Sequence, residues 1–191
     1  MSTTRGDILH AARGILSEHS LADLTMRRLA TEVGVRPNAL YWHFADKQTM
    51  LAALADDLLA GVHDDSALDW DAALSTMAEN LRTVLLAVPD SAEVVSSAWA
   101  SGLATDDLAG RLAARAAGGG LSETAARGVA TALCQLTVGL TIEEQTRAQM
   151  ERLGATGPSG RDFGDEFHQA LDVILAGARA ACLTAAESAS R

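Results

Sequence analysis

From Ile8 onward, apolar residues return every three or four positions through almost the whole chain, the spacing of helices that bury one side. No stretch alternates apolar with polar residues in the way of a half-buried strand. This periodicity confines the chain to an all-α fold. Composition agrees: 38 alanines stand against 3 prolines and seven aromatic residues, a mixture that favours helix over sheet. With 191 residues and 48% hydrophobic content, there is material for a sizeable core, and disorder is excluded.

Several classes fall away next. The longest run without a charged residue, 128–142, would rise only ~22 Å as a helix, short of a ~30 Å hydrocarbon core. It reads as a buried helix of a soluble protein, with no membrane partner. Residues 1–13 are charged and lack a signal-peptide pattern, so a cytoplasmic location is expected. Cys134 and Cys182 lie far apart on apolar helical patterns and read as reduced, packed thiols. The five histidines show no metal-ligand spacing, and neither a metal nor a cofactor is expected. The carboxylate pairs Asp56-Asp57, Asp64-Asp65, Asp106-Asp107 and Glu143-Glu144 are adjacent, so each pair diverges around its helix. That arrangement does not build a catalytic site, and the chain is read as not an enzyme.

The pattern predicts a first helix over 4–18 and a second capped by Thr25 and ended at Gly34. A third begins at Pro37 and runs through Phe44, and a fourth is capped by Asp46 and runs to about Val62. The polar, acidic stretch 63–69 connects two parts. Beyond it come a long stripe from Trp70 to Val88, a short helix from Asp90 through Trp99, and one capped by Thr105 and broken at Gly118-Gly119-Gly120. A very apolar helix opened by Ser122 ends near Arg152, and a last one spans about 162–185 with Phe163, Phe167, Leu171, Ile174, Leu175 and Ala178 on one side.

Charge is unevenly placed. The net charge is −10, yet residues 1–50 hold six basic and five acidic side chains and the remainder is strongly acidic. An acidic body repels DNA everywhere except at such an end. Within that end, residues 25–44 have the layout of a helix-turn-helix: small Ala30 where the helices approach, Gly34 for the turn, and Leu40 as the apolar anchor of the second helix.

The runs Leu24-Thr25-Met26-Arg27-Arg28-Leu29-Ala30, Val33-Gly34-Val35 and Ala39-Leu40-Tyr41-Trp42-His43-Phe44, followed by Lys47, Leu51 and Leu54, resemble the DNA-binding domain of TetR-family repressors, those of the tetracycline-repressor type in particular. Val138-Gly139-Leu140 followed by Glu143-Glu144-Gln145 is similar to the end of that family's dimer helix. The resemblance implies an N-terminal three-helix DNA-binding domain (1–46), a connecting fourth helix (47–63), and an all-helical effector-binding and dimerisation body (64–191). It places Pro37, Asn38, Ala39 and Tyr41 in the major groove, where Asn38 suits an adenine edge and Ala39 a thymine methyl. Arg27 matches a position that reads guanine, and Arg36 is a further candidate. Thr25, Trp42, His43 and Lys47 suit backbone phosphates; Tyr41 and Trp42 also have a reading as core aromatics of a tiny domain, Trp42 more so than Tyr41.

The same resemblance implies a repressor that binds a palindromic double-stranded operator as a homodimer. Helices near 122–140 and 162–185 of two chains would form the interface and bury the stripes named above, with Val129, Leu133, Leu136 and Leu140 on the first of them. His63 falls at a ligand-contacting position of the family. Val95 stands where a magnesium-ligating histidine would, which argues against a metal-chelated drug. A small, largely apolar effector is expected instead, with Met77, Leu81, Leu85, Val95 and Trp99 as wall residues and His63 as a polar contact. A helical protein-interaction module and an effector-independent regulator remain as alternatives.

Overall fold

A computed structural model describes residues 3–189, with side chains described to residue 184. Among the described residues every regular element is helical. The chain divides into two compact units, one of residues 1–60 and 84–106 and the other of 61–83 and 107–191.

In the first unit, α1 (Arg5–Glu18) opens with a reciprocal cap: the Thr4 hydroxyl accepts the Asp7 N–H, and the Asp7 carboxylate accepts the Thr4 N–H at 2.8 Å. Ile8, Ala12, Ile15 and Leu16 are its buried stripe. Helix α2 (Met26–Glu32) is capped by Thr25, whose hydroxyl accepts the Arg28 N–H at 3.1 Å. Gly34 follows at φ 70°, and the Val35 N–H returns to the Ala30 carbonyl at 2.9 Å, which closes the helix end and starts the turn.

Helix α3 is shorter than its pattern predicts. Only Pro37–Leu40 are helical; the Leu40 carbonyl accepts the N–H groups of both His43 and Phe44, and the chain then extends so that Asp46 can cap α4 (Lys47–Leu59). Helix α4 also stops before Val62. The Val62 carbonyl, which a continuing helix would use itself, accepts Arg111 Nη1 at 2.7 Å instead.

After α5 (Trp70–Leu86), α6 (Ser91–Ser101) starts from Asp90 as its pattern predicts: the Asp90 carbonyl accepts the Val94 N–H, while at φ 59° its carboxylate turns to the α1–α2 loop and accepts the Leu21 N–H at 2.7 Å. One further expectation about a helix start is corrected. Helix α7 (Leu108–Gly118) is capped by Asp107, not Thr105. The Thr105 hydroxyl and N–H, with the Asp106 N–H, are taken by the Asp56 carboxylate of α4, at 2.6 to 3.1 Å. Thr105 is drawn away from its expected local role by a partner distant in sequence.

The second unit is built on α7, α8 (Glu123–Arg152) and α9 (Phe163–Ala189), with α8 packed against both of the others. Gly119 is required where it is, because a Cβ there would sit 2.3 Å from the Trp70 ring. Helix α8 is twice the length of its uncharged run and, by length and composition, could cross a bilayer. Here Ala126, Ala130, Leu133, Val138 and two hydroxyls, Thr137 and Thr141, which bond back to the preceding turn, are buried. Cys134 and Cys182 are free thiols, and burial pushes Cys134 up to about 11.

Candidate nucleic-acid interface

The first unit gathers the residues read from sequence as DNA contacts. Leu24, Leu29, Ala30, Leu40 and Phe44 are fully buried and fix α2 against α3. With that side occupied, Arg27, Arg36, Pro37 and Asn38 are left exposed and Ala39 half-exposed. Tyr41 and Trp42 are not core aromatics: they are 49% and 90% exposed. Together with Asn38 they line a shallow cleft of about 400 Å³. A tryptophan left almost wholly in water costs an isolated domain apolar exposure, and such exposure marks contact surfaces.

The cations divide sharply. Among the described residues of the body, Arg82, Arg115, Arg147, Arg161 and Arg179 are each paired to a carboxylate at 2.6 to 2.9 Å. In the first fifty residues, Arg13 pairs with Asp57 at 2.6 Å, and Arg28 lies 3.7 Å from Asp23. The side chains of Arg27, Arg36 and Lys47 have neither an ion pair nor a hydrogen bond; Arg152, at the far end of α8, is the other such cation among the described residues. The unit that exposes Asn38, Tyr41 and Trp42 thus also carries three unspent cations, a composition suited to a polyanion.

Lys47 is half-buried at the first position of α4. That helix end is already occupied, since the Asp46 carboxylate accepts the N–H and hydroxyl of Thr49 at 2.8 and 2.9 Å. These bonds hold the Asp46 carboxyl below the usual aspartate range, the Thr49 N–H first among them. Attraction for a phosphate therefore comes from the Lys47 ammonium more than from bare helix amides. The Thr25 hydroxyl accepts the α2 cap bond, and its proton remains for an outside acceptor.

Sequence reasoning missed Arg5. Its guanidinium lies 4.4 Å from the centre of the Phe44 ring, and Nη1 donates to the His43 carbonyl at 3.2 Å. A contact across 38 positions leaves no local pattern to read.

Met77 and Leu81 are core residues of the second unit, Leu85 and Val95 core residues of the first, Trp99 is half-buried and His63 exposed.

The expected dimer stripe is redistributed. Phe163, Phe167, Leu171, Leu175 and Ala178, with Leu133, are already buried within the single chain. The uncovered apolar face of α9 is the opposite one, Val173, Ala176, Gly177, Ala180 and Leu183, with Val173 73% exposed. The spacing i, i+3, i+4, i+7, i+10 keeps these on one side, and three of the five are small enough to let another helix approach closely.

Comparison with known proteins agrees with this geometry. Residues 8–54 match the family described as bacterial regulatory proteins, tetR family, and residues 64–159 match the tetracyclin repressor-like C-terminal domain. The tetracycline repressor protein class A from transposon 1721 of Escherichia coli is 35% identical over 144 residues, covering 72% of this chain and 65% of that protein's length. The crystal structure of Mycobacterium smegmatis BioQ is 37% identical, covers 94% of this chain and 99% of its own, and superposes with a TM-score of 0.85. A crystal structure of BioQ with its natural double-stranded DNA operator is 35% identical, covers 91% of this chain and 99% of its own, with a TM-score of 0.73. Two family matches in tandem, together with this likeness over nearly the full chain, establish that the chain belongs to the tetR family of bacterial regulatory proteins.

Proposed function

We propose that this chain is a ligand-responsive transcriptional repressor of the cytoplasm that binds a palindromic operator as a homodimer and is released by a small, largely apolar effector. Residues 1–46 read DNA, 47–63 connect, and 64–191 hold the effector and the partner subunit. The observation that carries the reading is the set of unpaired cations Arg27, Arg36 and Lys47 in the unit that also exposes Asn38, Tyr41 and Trp42, in a protein whose other arginines are mostly neutralised. That BioQ, similar over nearly the full chain, has been solved with its double-stranded DNA operator supports a DNA-binding reading.

Arg27 offers a guanine a bidentate fork, Asn38 suits an adenine, and Pro37, Ala39 and Tyr41 meet the groove wall. Thr25, Trp42, His43 and Lys47 hold the backbone and set register. One such domain grips few phosphates, so two are needed at physiological salt. The uncovered face of α9, with half-buried Val129, Leu136 and Leu140 of α8, supplies apolar surface for the second copy.

The effector reading rests on the apolar character of Met77, Leu81, Leu85 and Val95, with Trp99 and His63 at the margin. An effector releases DNA only as far as it binds the DNA-incompetent state more tightly.

The test is a selection of duplexes from a random-sequence pool at low salt with the purified chain. Enrichment of a palindrome, abolished when Arg27, Tyr41 and Lys47 are all changed to alanine, is the expected result. An unenriched pool sinks the proposal.

A further inference from the structure

We infer that Arg5 is a positioning residue for DNA reading, which holds the turn carrying Tyr41, Trp42 and His43 without itself touching nucleic acid; the inference rests on the DNA-binding reading above. Helix α3 ends at Leu40, so these three side chains stand on a turn and not on a helix. The turn's own ties are the His43 and Phe44 N–H groups on the Leu40 carbonyl, and the buried side chains of Leu40 and Phe44. Trp42 is 90% exposed and has no packing to fix it. Among the described residues, the side-chain hydrogen bond that residues 41–44 receive comes from Arg5, on the His43 carbonyl.

The geometry suits that task. A guanidinium is planar and rigid, and here it is engaged at a face by the Phe44 ring and at an edge by the His43 carbonyl, two restraints that set both tilt and distance. Its base is firm, because Arg5 is the first residue of α1, immediately inside the Thr4–Asp7 reciprocal cap. The cations that face DNA have unoccupied side chains, whereas Arg5 is engaged in two contacts within the chain.

The experiment compares wild type, Arg5→Met, Arg5→Lys and Lys47→Ala on two probes: a duplex recovered by wild type from the random pool, and a mixed-sequence duplex of equal length, each over a range of salt. Arg5→Met is expected to bind the recovered duplex about tenfold more weakly, with a smaller effect on the mixed one and its salt dependence unchanged. Arg5→Lys, which keeps the charge but not the planar fork, should fall between, and it carries the test if the methionine variant fails to fold. Lys47→Ala should instead flatten the salt dependence, by about 0.9 in slope for each phosphate it no longer neutralises. Flattening by Arg5→Met equal to that of Lys47→Ala would make Arg5 a phosphate ligand and overturn the inference, as would wild-type affinity in both Arg5 variants. Absence of binding by wild type itself overturns the DNA-binding reading and this one together.

Discussion

Arg27 and Lys47 are both cationic, both exposed to some degree and both unpaired, yet their proposed roles give them different consequences on substitution. Arg27 stands on the exposed side of α2, where a guanidinium can reach a base edge. Arg27→Ala should relax discrimination at one position of each half-site by about 1–3 kcal/mol, read by binding to single-base operator variants. Lys47→Ala should weaken all duplexes alike. Equal losses on matched and mismatched operators with Arg27→Ala would count against its role as a base reader. Asp46 adds a pH dependence. Its carboxyl is held below the ordinary aspartate value of 3.8 by the Thr49 N–H and hydroxyl, so its folded form ionises more readily than its unfolded form. The stability this confers is present above that ordinary value and is lost as pH falls through the folded one. Urea unfolding as pH falls below that ordinary value should show a shallower pH dependence in Asp46→Asn than in wild type.

At the scale of elements, the helix-turn-helix depends on how α2 ends. Gly34 sits at φ 70°, and a Cβ there would meet nothing within 4 Å, so any penalty for a side chain is conformational and not steric. Gly34→Ala should therefore cost about 1 kcal/mol of stability. It should move the thermal midpoint without repacking the core; a midpoint equal to wild type would show that the turn tolerates the change. Three helix starts were legible beforehand from the capping side chain: Thr25, Asp46 and Ser122 each accept an N–H three residues on. Reading failed where that residue had a better offer from far away. Thr105 lies within reach of Asp56 and left the local role that spacing alone assigns it. The end of α3 was misjudged for a related reason, since Leu40 and Phe44 had to be buried together while Asp46 extended to cap the next helix.

For the molecule as a whole, partition of charge and of apolar surface matters most. The acidic body neutralises most of its own arginines, and among the described residues three of the four cations left without an ion pair or hydrogen bond, Arg27, Arg36 and Lys47, lie in the first fifty residues, the fourth being Arg152. In the proposed function the uncovered side of α9 seats the second copy. Val173→Asp puts a charge in the middle of that face and should yield monomers by analytical ultracentrifugation, together with a large loss of operator affinity but an unchanged fold by circular dichroism. A stable dimer in Val173→Asp would move the interface elsewhere.

The amino-acid sequence alone determined that the chain is all-helical, where most helices start, and that residues 25–44 have the layout of a helix-turn-helix like that of the tetR family. These follow from interactions three or four residues apart, which the chain carries wherever it folds. Only tertiary structure decided which cations remain available, because pairs such as Arg13 with Asp57 and Arg179 with Asp71 join positions 44 and 108 apart. The same holds for α9, where both sides are apolar and only packing against α8 selects which one is buried. Long side chains and whole faces take their partners from whatever the fold brings near, and no local pattern records that choice.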